Sequence, residues 1–138
     1  MYKVYSDMLN YEYVGVKYKD LLFPEQDFLN SITEDSVVVL SNPNTPIAHN
    51  ISLNFIRKIL DKKVPTLIDE AYIEFSDMPS CAHLIKDFPN LYVTRTFSKA
   101  LGSAGVRAGV LLSNKDNIEK VTQYRDICLL YTSPSPRD

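Results

Sequence analysis

Four short apolar runs, separated by turns and helical patterns, constrain the fold of this chain more than any other feature. They are SVVVL at 36–40, TLID at 66–69, LYVT at 91–94 and AGVLLS at 108–113. Runs of this kind are typical of strands that are buried on both faces, as in a parallel sheet. Between the first two runs, residues 52–63 show helical spacing behind a Ser52 cap. Strands alternating with helices predict an α/β fold with three layers, α/β/α, and a mostly parallel sheet.

The remaining elements are predicted from shorter patterns. Residues 1–10 fit an amphipathic helix with Val4, Met8 and Tyr5 on one face. The segment YEYVGVKY at 11–18 alternates like a strand, which would give a sheet of about five strands. Two further helices are expected, a short one starting near Pro24 and a final one over 117–126.

Composition excludes several classes of protein. A chain of 138 residues suits one domain, and its net charge of −2 gives no support to a nucleic-acid or membrane partner. The two cysteines, Cys81 and Cys128, lack the paired spacing of a zinc site or a disulfide framework. No stretch approaches the ~20 apolar residues of a membrane span, and no signal peptide is recognisable. We therefore expect a cytoplasmic protein without a metal site.

The last eleven residues differ in character from the helical pattern before them. Residues 128–138 read CLLYTSPSPRD, and their back-translation resembles a sequencing-library adapter. A Ser/Pro-rich disordered tail is the alternative interpretation. We expect one partial domain over 1–127 and a non-native or disordered tail over 128–138.

Polar residues cluster where three of the predicted strands end. They are Asn42, Asn44 and Thr45 after the first strand, Asp69, Glu70 and Tyr72 at the second, and Arg95, Thr96, Ser98 and Lys99 at the third. In open α/β sheets, ligands bind at the carboxyl ends of the strands. The sequence therefore predicts a ligand site at this edge of the sheet.

The chemistry of these residues narrows the choice of ligand. A lysine amine such as that of Lys99 attacks a carbonyl carbon and forms a Schiff base. The hydroxyls of Thr96 and Ser98 and the guanidinium of Arg107 suit a phosphate dianion. Asp69 can stay ionised opposite a cation such as a protonated ring nitrogen. Together these groups predict a site for pyridoxal phosphate.

Two longer motifs resemble a known family. The segment DEAYIEF at 69–75, followed by RTFSKALGSAGVRAG at 95–109, resembles the core of the class I/II aminotransferases, which have the fold-type-I architecture. It is most similar to the histidinol-phosphate aminotransferase branch. NPNTPIA at 42–48 lies where that family carries a turn similar to NPNNPTG. The resemblance covers residues 1–127, which correspond to the middle of a family chain more than twice as long.

The resemblance implies a role for each matching residue. Lys99 matches the lysine that forms the Schiff base and then carries the substrate proton. Asp69 matches the acid that pairs with the pyridine nitrogen, and Tyr72 matches the tyrosine that hydrogen-bonds the ring oxygen O3′. The phosphate contacts are matched by Thr96, Ser98 and Arg107. Structural alternatives are a surface lysine, a turn-capping Asp69, a core Tyr72 and an ion-paired Arg107.

The turn at 42–48 departs from the family pattern. The family asparagine that also bonds O3′ aligns with Thr45, and Asn44 immediately precedes it. Ile47 and Ala48 replace the usual Thr-Gly pair. Either Asn44 or Thr45 is expected to contact the ring oxygen, and Asn44 also has the alternative of only completing the turn.

The resemblance also implies substrates and partners. The family works as a homodimer that transfers an amino group between an amino-acid or amino-phosphate substrate and a 2-oxo acid. For this branch, the reaction is histidinol-phosphate:2-oxoglutarate amino transfer in histidine biosynthesis. Two alternatives remain open, a lyase like the threonine-phosphate decarboxylases and an inactive stand-alone α/β module.

Overall fold

A four-stranded sheet forms the centre of the computed structural model, which describes residues 2–124. Its strands, in spatial order, are β1 (Val38–Ser41), β2 (Thr66–Asp69), β3 (Leu91–Thr96) and β4 (Gly109–Leu112). The pairs β1–β2 and β2–β3 are parallel, whereas β3–β4 is antiparallel. The predicted α/β class with a mostly parallel sheet is confirmed.

Four α-helices and three short 3-10 helices surround the sheet. They are α1 (Tyr2–Met8), α2 (Glu25–Asn30), α3 (Leu53–Leu60) and α4 (Lys115–Thr122), with 3-10 helices at Ile73–Phe75, Cys81–Lys86 and Ala104–Val106. The predicted Ser52 cap is confirmed, because its Oγ accepts a hydrogen bond from the Phe55 backbone N–H at 3.2 Å. The helix predicted near Pro24 is also confirmed as α2. Among these helices, none is long and apolar enough to cross a membrane.

The hydrophobic core lies between one face of the sheet and α3. Alternate strand residues such as Leu40, Ile68 and Val93 point into it. The predicted apolar stripe of α3 meets them, and its four members are all buried: Phe55, Ile56, Ile59 and Leu60. The 3-10 helix Cys81–Lys86 adds Cys81 and Leu84 to the same core. This packing fixes the strand ends that carry the candidate site.

The strand predicted at 11–18 is wrong, so the described sheet has four strands and not about five. The segment forms no strand, and Tyr11, Tyr13 and Val14 are 64%, 47% and 62% exposed. Alternation favours a pleated backbone, but a strand also needs a neighbour to pair its N–H and C=O groups. Residues 11–18 have no such neighbour within residues 2–124.

The helix predicted at 1–10 is confirmed as α1, and its apolar face is exposed in the structure. Val4, Tyr5 and Met8 are exposed, whereas Tyr2 is half-buried. The spacing of apolar residues shows which side of a helix is able to be buried. Contacts with the rest of the fold decide which residues are buried. The last predicted helix is confirmed as α4, capped by Asn114. Its predicted end at 126 and the tail at 128–138 lie outside the described residues.

Candidate active site

The parallel strands bring their carboxyl ends together at one edge of the sheet. Ser41 on β1 lies opposite Asp69 on β2, and Asp69 in turn lies opposite Thr94 on β3. The strand ends therefore place a carboxylate between two hydroxyl-bearing residues. Two residues after Thr94, β3 ends at Thr96, and the loop carrying Ser98, Lys99 and Arg107 begins.

Asp69 is half-buried and held by three hydrogen-bond donors. Its Oδ1 accepts bonds from the Ala71 backbone N–H at 3.1 Å and from Thr94 Oγ1 at 3.3 Å. Its Oδ2 accepts a bond from the Tyr2 hydroxyl at 2.7 Å. These donors fix the position of the carboxylate, and its oxygens together retain about one further acceptor position. Asp69 is therefore equipped to pair with a cationic group.

Lys99 and Tyr72 lie side by side although they belong to different loops. The Lys99 Nζ atom is 5.4 Å from the centroid of the Tyr72 ring, and Lys99 is exposed. Tyr72 is half-buried and follows β2 by three residues, just before the 3-10 helix Ile73–Phe75. A cation at this distance is attracted by the electron-rich face of an aromatic ring. The amine of the loop after β3 thus lies beside a residue of the loop after β2.

The loop between β3 and β4 is closed by backbone hydrogen bonds. The N–H groups of Phe97, Gly102 and Ser103 donate to the carbonyls of Ala108, Lys99 and Phe97 at 3.2, 3.1 and 3.1 Å. At its start, the Ser98 backbone N–H donates to Thr96 Oγ1 at 3.2 Å. These bonds give the segment carrying Lys99 a defined path above the sheet edge.

Arg107 sits at the other end of the same loop. Its backbone is left-handed, with φ 53° and ψ 34°, a conformation that costs a non-glycine residue free energy. Since Gly109 pairs with Thr96 across the antiparallel strands, Arg107 and Ser98 leave the sheet at the same end. Arg107 is exposed, and within residues 2–124 its guanidinium forms no salt bridge. The structural alternative of an ion-paired Arg107 therefore finds no support in the described part of the chain.

The turn at 42–48 faces Tyr72 across a cavity of about 190 Å³. Asn44, Thr45 and Tyr72 all line this cavity. The turn is anchored by Asn42, which is 3% exposed and whose side chain exchanges two hydrogen bonds with the Ile51 backbone, at 2.8 and 3.3 Å. Asn44 and Thr45, the two candidate replacements for the family asparagine, thus line the same cavity as Tyr72. All three residues are candidates for contact with the ring oxygen O3′.

The sequence did not predict that Glu70, next to Asp69, is a buried carboxylate with hydrogen bonds to neighbouring segments. Glu70 is 0% exposed, and its two oxygens accept bonds from Ser80 Oγ and the Cys81 backbone N–H, both at 2.7 Å. Arg95 Nε lies 3.9 Å from Glu70, and Arg95 Nη2 donates to Glu74 at 2.8 Å. The available signal was an acid directly after one buried strand and an arginine near the end of the next strand.

Tyr2 was also missed as a site residue. The hydrogen bond from its hydroxyl to Asp69 spans 67 residues of sequence. Burial raises the pKa of Tyr2 to about 12, and the hydrogen bond with Asp69 contributes to the increase. No local pattern distinguishes Tyr2 from the neighbouring Tyr5, so the sequence held no signal for it.

Other parts of the described chain offer less for catalysis. A larger groove of about 1090 Å³ lies between the 3-10 helix Cys81–Lys86 and α4, and no predicted site residue lines it. Within residues 2–124, no group of three or more histidine, cysteine or acidic side chains is arranged to hold a metal ion. The groups with usable chemistry therefore concentrate at the carboxyl edge of the sheet.

Comparison with known proteins identifies related sequences. Residues 16–137 match the family model described as aminotransferase class I and II. The histidinol-phosphate aminotransferase of Christiangramia forsetii is 38% identical over 150 aligned positions, which cover 98% of this chain and 43% of that protein. The chain therefore spans less than half of the length of this relative.

Solved structures show the same arrangement of elements. The histidinol-phosphate aminotransferase from Clostridium acetobutylicum superposes with a TM-score of 0.83 at 25% identity, covering 91% of this chain and 40% of that one. The enzyme from Sinorhizobium meliloti, solved in complex with pyridoxal-5′-phosphate, gives 0.77 at 25% identity, covering 91% and 36%. The L-threonine-O-3-phosphate decarboxylase from Porphyromonas gingivalis shares the fold, with a TM-score of 0.70 at 22% identity, covering 89% and 37%.

Proposed function

Because this chain belongs to the class I and II aminotransferases, we propose that it is a segment of a pyridoxal-phosphate-dependent aminotransferase. The proposed reaction is amino transfer between histidinol phosphate and 2-oxoglutarate, a step of histidine biosynthesis. In this proposal residues 1–127 form part of the cofactor-binding large domain of a cytoplasmic homodimer. Residues 128–138 play no part in it.

The residues present fit the cofactor. Asp69 has three donors on its two oxygens, so an ionised carboxylate retains about one acceptor position for a ring N–H. Lys99 presents an exposed amine beside Tyr72. Arg107 offers a guanidinium at the same end of the sheet as Thr96 and Ser98. An acid, an amine and a phosphate-binding set are the three groups that pyridoxal phosphate requires.

Each side chain then has a distinct task. Lys99 would hold the cofactor covalently through Nζ and, once released, would take the proton from the substrate α-carbon. Asp69 would keep the ring nitrogen protonated, and the bound cofactor would supply an electron-withdrawing ring that stabilises the charge left on that carbon. Tyr72, with Asn44 or Thr45, would donate to the ring oxygen. The phosphate would be bound by Thr96, Ser98 and Arg107.

The observation that carries this proposal is the pairing of Lys99 with Tyr72. Their loops follow different strands, and the amine lies 5.4 Å from the ring centroid. The ring face of Tyr72 attracts the cationic amine and so holds it near the residues that follow β2. Tyr72 follows Asp69 by three residues, so the residue beside the amine belongs to the segment that leaves the carboxyl end of β2.

The proposal is tested by borohydride reduction of the full-length protein loaded with pyridoxal phosphate. In the parent, reduction should fix the cofactor irreversibly, as measured by absorbance after unfolding and by peptide mass at Lys99. Lys99→Ala should lose this fixation and nearly all amino transfer. Lys115→Ala, which alters a lysine whose side chain is 87% exposed, is the matched control and should behave like the parent.

Three outcomes would contradict the proposal. Fixation of the cofactor to Lys99→Ala as efficiently as to the parent would remove Lys99 from its assigned role. Release of carbon dioxide from an amino-acid phosphate, without conversion of 2-oxoglutarate to glutamate, would replace the aminotransferase by a lyase. A parent that neither binds pyridoxal phosphate nor reacts would favour the inactive module.

A further inference from the structure

The Tyr2 hydroxyl forms the longest-range side-chain hydrogen bond to the candidate site. It donates to Asp69 Oδ2 at 2.7 Å across 67 residues of sequence. Tyr2 opens α1, a helix in which no residue is buried, and Tyr5 on the same helix is 55% exposed. The helix thus reaches the sheet edge through one half-buried tyrosine, and that tyrosine contacts the carboxylate assigned to the cofactor.

The three donors to Asp69 are distributed unevenly between its oxygens. Within residues 2–124, Oδ1 receives both the Ala71 backbone N–H and the Thr94 hydroxyl, whereas Oδ2 receives only Tyr2. Each carboxylate oxygen has about two acceptor positions, so the remaining position belongs to Oδ2. A cationic N–H that pairs with Asp69 is therefore expected to use the oxygen that Tyr2 already holds.

We propose that Tyr2 is a positioning residue that orients Asp69 Oδ2 towards the protonated ring nitrogen of pyridoxal phosphate. This inference rests on the proposed function, since it assigns a role to Tyr2 only if the cofactor pairs with Asp69. Tyr2 does not contact the reacting atoms, and acts by limiting rotation of the carboxylate about its last side-chain bond. A fixed acceptor makes a stronger hydrogen bond than one that must be oriented on binding.

The chemistry of Tyr2 suits this role. Burial first, and then the hydrogen bond and charge of Asp69, raise its pKa to about 12 against a smaller lowering by Ser41. The hydroxyl therefore remains a neutral donor across the neutral and mildly alkaline range. A neutral donor fixes the carboxylate while leaving its negative charge available to the ring nitrogen.

The test is Tyr2→Phe in the full-length holoenzyme, with Tyr5→Phe as the matched control. Tyr2→Phe keeps the ring and removes only the donor. The ¹⁵N chemical shift of ring-labelled pyridoxal phosphate reports protonation of the ring nitrogen on the bound cofactor. We expect the pH midpoint of this signal to fall by about one unit and the cofactor dissociation constant to rise by about tenfold. Tyr5→Phe should match the parent in both measurements.

The outcomes separate this inference from the proposed function. If the parent shows Lys99-dependent fixation of the cofactor but Tyr2→Phe has an unchanged midpoint, the positioning role is wrong while the proposed function stands. A midpoint that moves upwards would also overturn it, because Tyr2 would then be withdrawing charge from Asp69 and not orienting it. If the parent binds no pyridoxal phosphate, the proposed function itself has failed. A general loss of packing would raise the dissociation constant without moving the midpoint, and that result would also overturn the inference.

Discussion

Removal of the buried Glu70 carboxylate is expected to destabilise the fold more than any single change to the exposed charges around it. Glu70 is 0% exposed, and Glu70→Ala would leave the buried Cys81 backbone N–H without its acceptor. That loss alone costs about 1–3 kcal/mol. The same change removes the partner of Ser80 Oγ and the nearest charge to the buried Arg95 Nε. We expect a total of about 3 kcal/mol, because breaking one side of a buried charge pair costs roughly 3–5 kcal/mol and Arg95 keeps Glu74.

Two matched variants separate the contributions to the expected loss of stability in Glu70→Ala. Glu70→Gln keeps an oxygen for the Cys81 N–H but removes the charge, so it should cost about 1–2 kcal/mol. Glu74→Gln weakens a 2.8 Å pair whose side chains are about one-third exposed, at 33% and 31% for Arg95 and Glu74. Pairs with this exposure contribute less than about 1 kcal/mol. The expected order of destabilisation is Glu70→Ala, then Glu70→Gln, then Glu74→Gln.

The assay is urea unfolding of the full-length protein, with the free energy of unfolding extrapolated to water and the slopes compared. Equal slopes are needed before the differences are interpreted as changes in stability. The reasoning fails if Glu70→Ala costs less than about 1 kcal/mol, since a buried, fully bonded carboxylate cannot then be stabilising the strand ends. It also fails if Glu74→Gln costs as much as Glu70→Ala, because the exposed pair would then be the dominant interaction.

Three further changes test separate features of the structure. The folded pKa of Tyr2, about 12, lies above its unfolded value of 10.0, so its contribution to stability is present below pH 10 and is lost as the pH rises towards 12. Urea titrations should therefore show a smaller loss between these pH values for Tyr2→Phe than for the parent, and an equal loss would contradict the assignment. Burial first, and then Glu70, raise the pKa of the Cys81 thiol. In a Cys128→Ser background, the reaction of this thiol with Ellman's reagent should therefore be about a hundredfold slower in the folded than in the unfolded protein. Similar rates would show that the thiol is accessible. Ala48 has a left-handed backbone, with φ 56°, at a position where the family carries glycine. Ala48→Gly should therefore stabilise the protein by about 0.5–1 kcal/mol in the same unfolding assay. A loss of stability would show that side-chain contacts of Ala48 compensate the backbone strain.

The elements that the sequence predicted well are those specified by neighbouring residues. The run at 66–69 became β2 without any change of boundary, because an apolar segment between turn signals is fixed by burial alone. The α3 stripe and its Ser52 cap were equally local, since each depends on residues within one or two helical turns. Family motifs supplied Lys99, Asp69 and Tyr72, although their roles at the site stay predictions.

The features that were missed or wrong depend on partners distant in sequence. The strand predicted at 11–18 had suitable residues but no neighbour in the described sheet. Tyr2 and Tyr5 share a helix and a residue type, and only the fold decides that Tyr2 meets Asp69. Glu70 was recognised only as one polar residue in a cluster, because its burial depends on Ser80 and Cys81 closing over it.

The direction of β4 shows how such a non-local feature governs the chemistry. Its apolar run predicted a strand, but not that it would run antiparallel to β3. If β4 were parallel, the chain after β3 would have to cross the sheet, and Arg107 would enter β4 from the opposite edge. Antiparallel pairing instead sets Gly109 against Thr96, where a Cβ on Gly109 would lie 2.8 Å from the Arg95 carbonyl oxygen. The glycine thus permits the close pairing that returns Arg107 to the end of the sheet at which Ser98 and Lys99 emerge, so the proposed phosphate contacts depend on a residue with no side chain of its own.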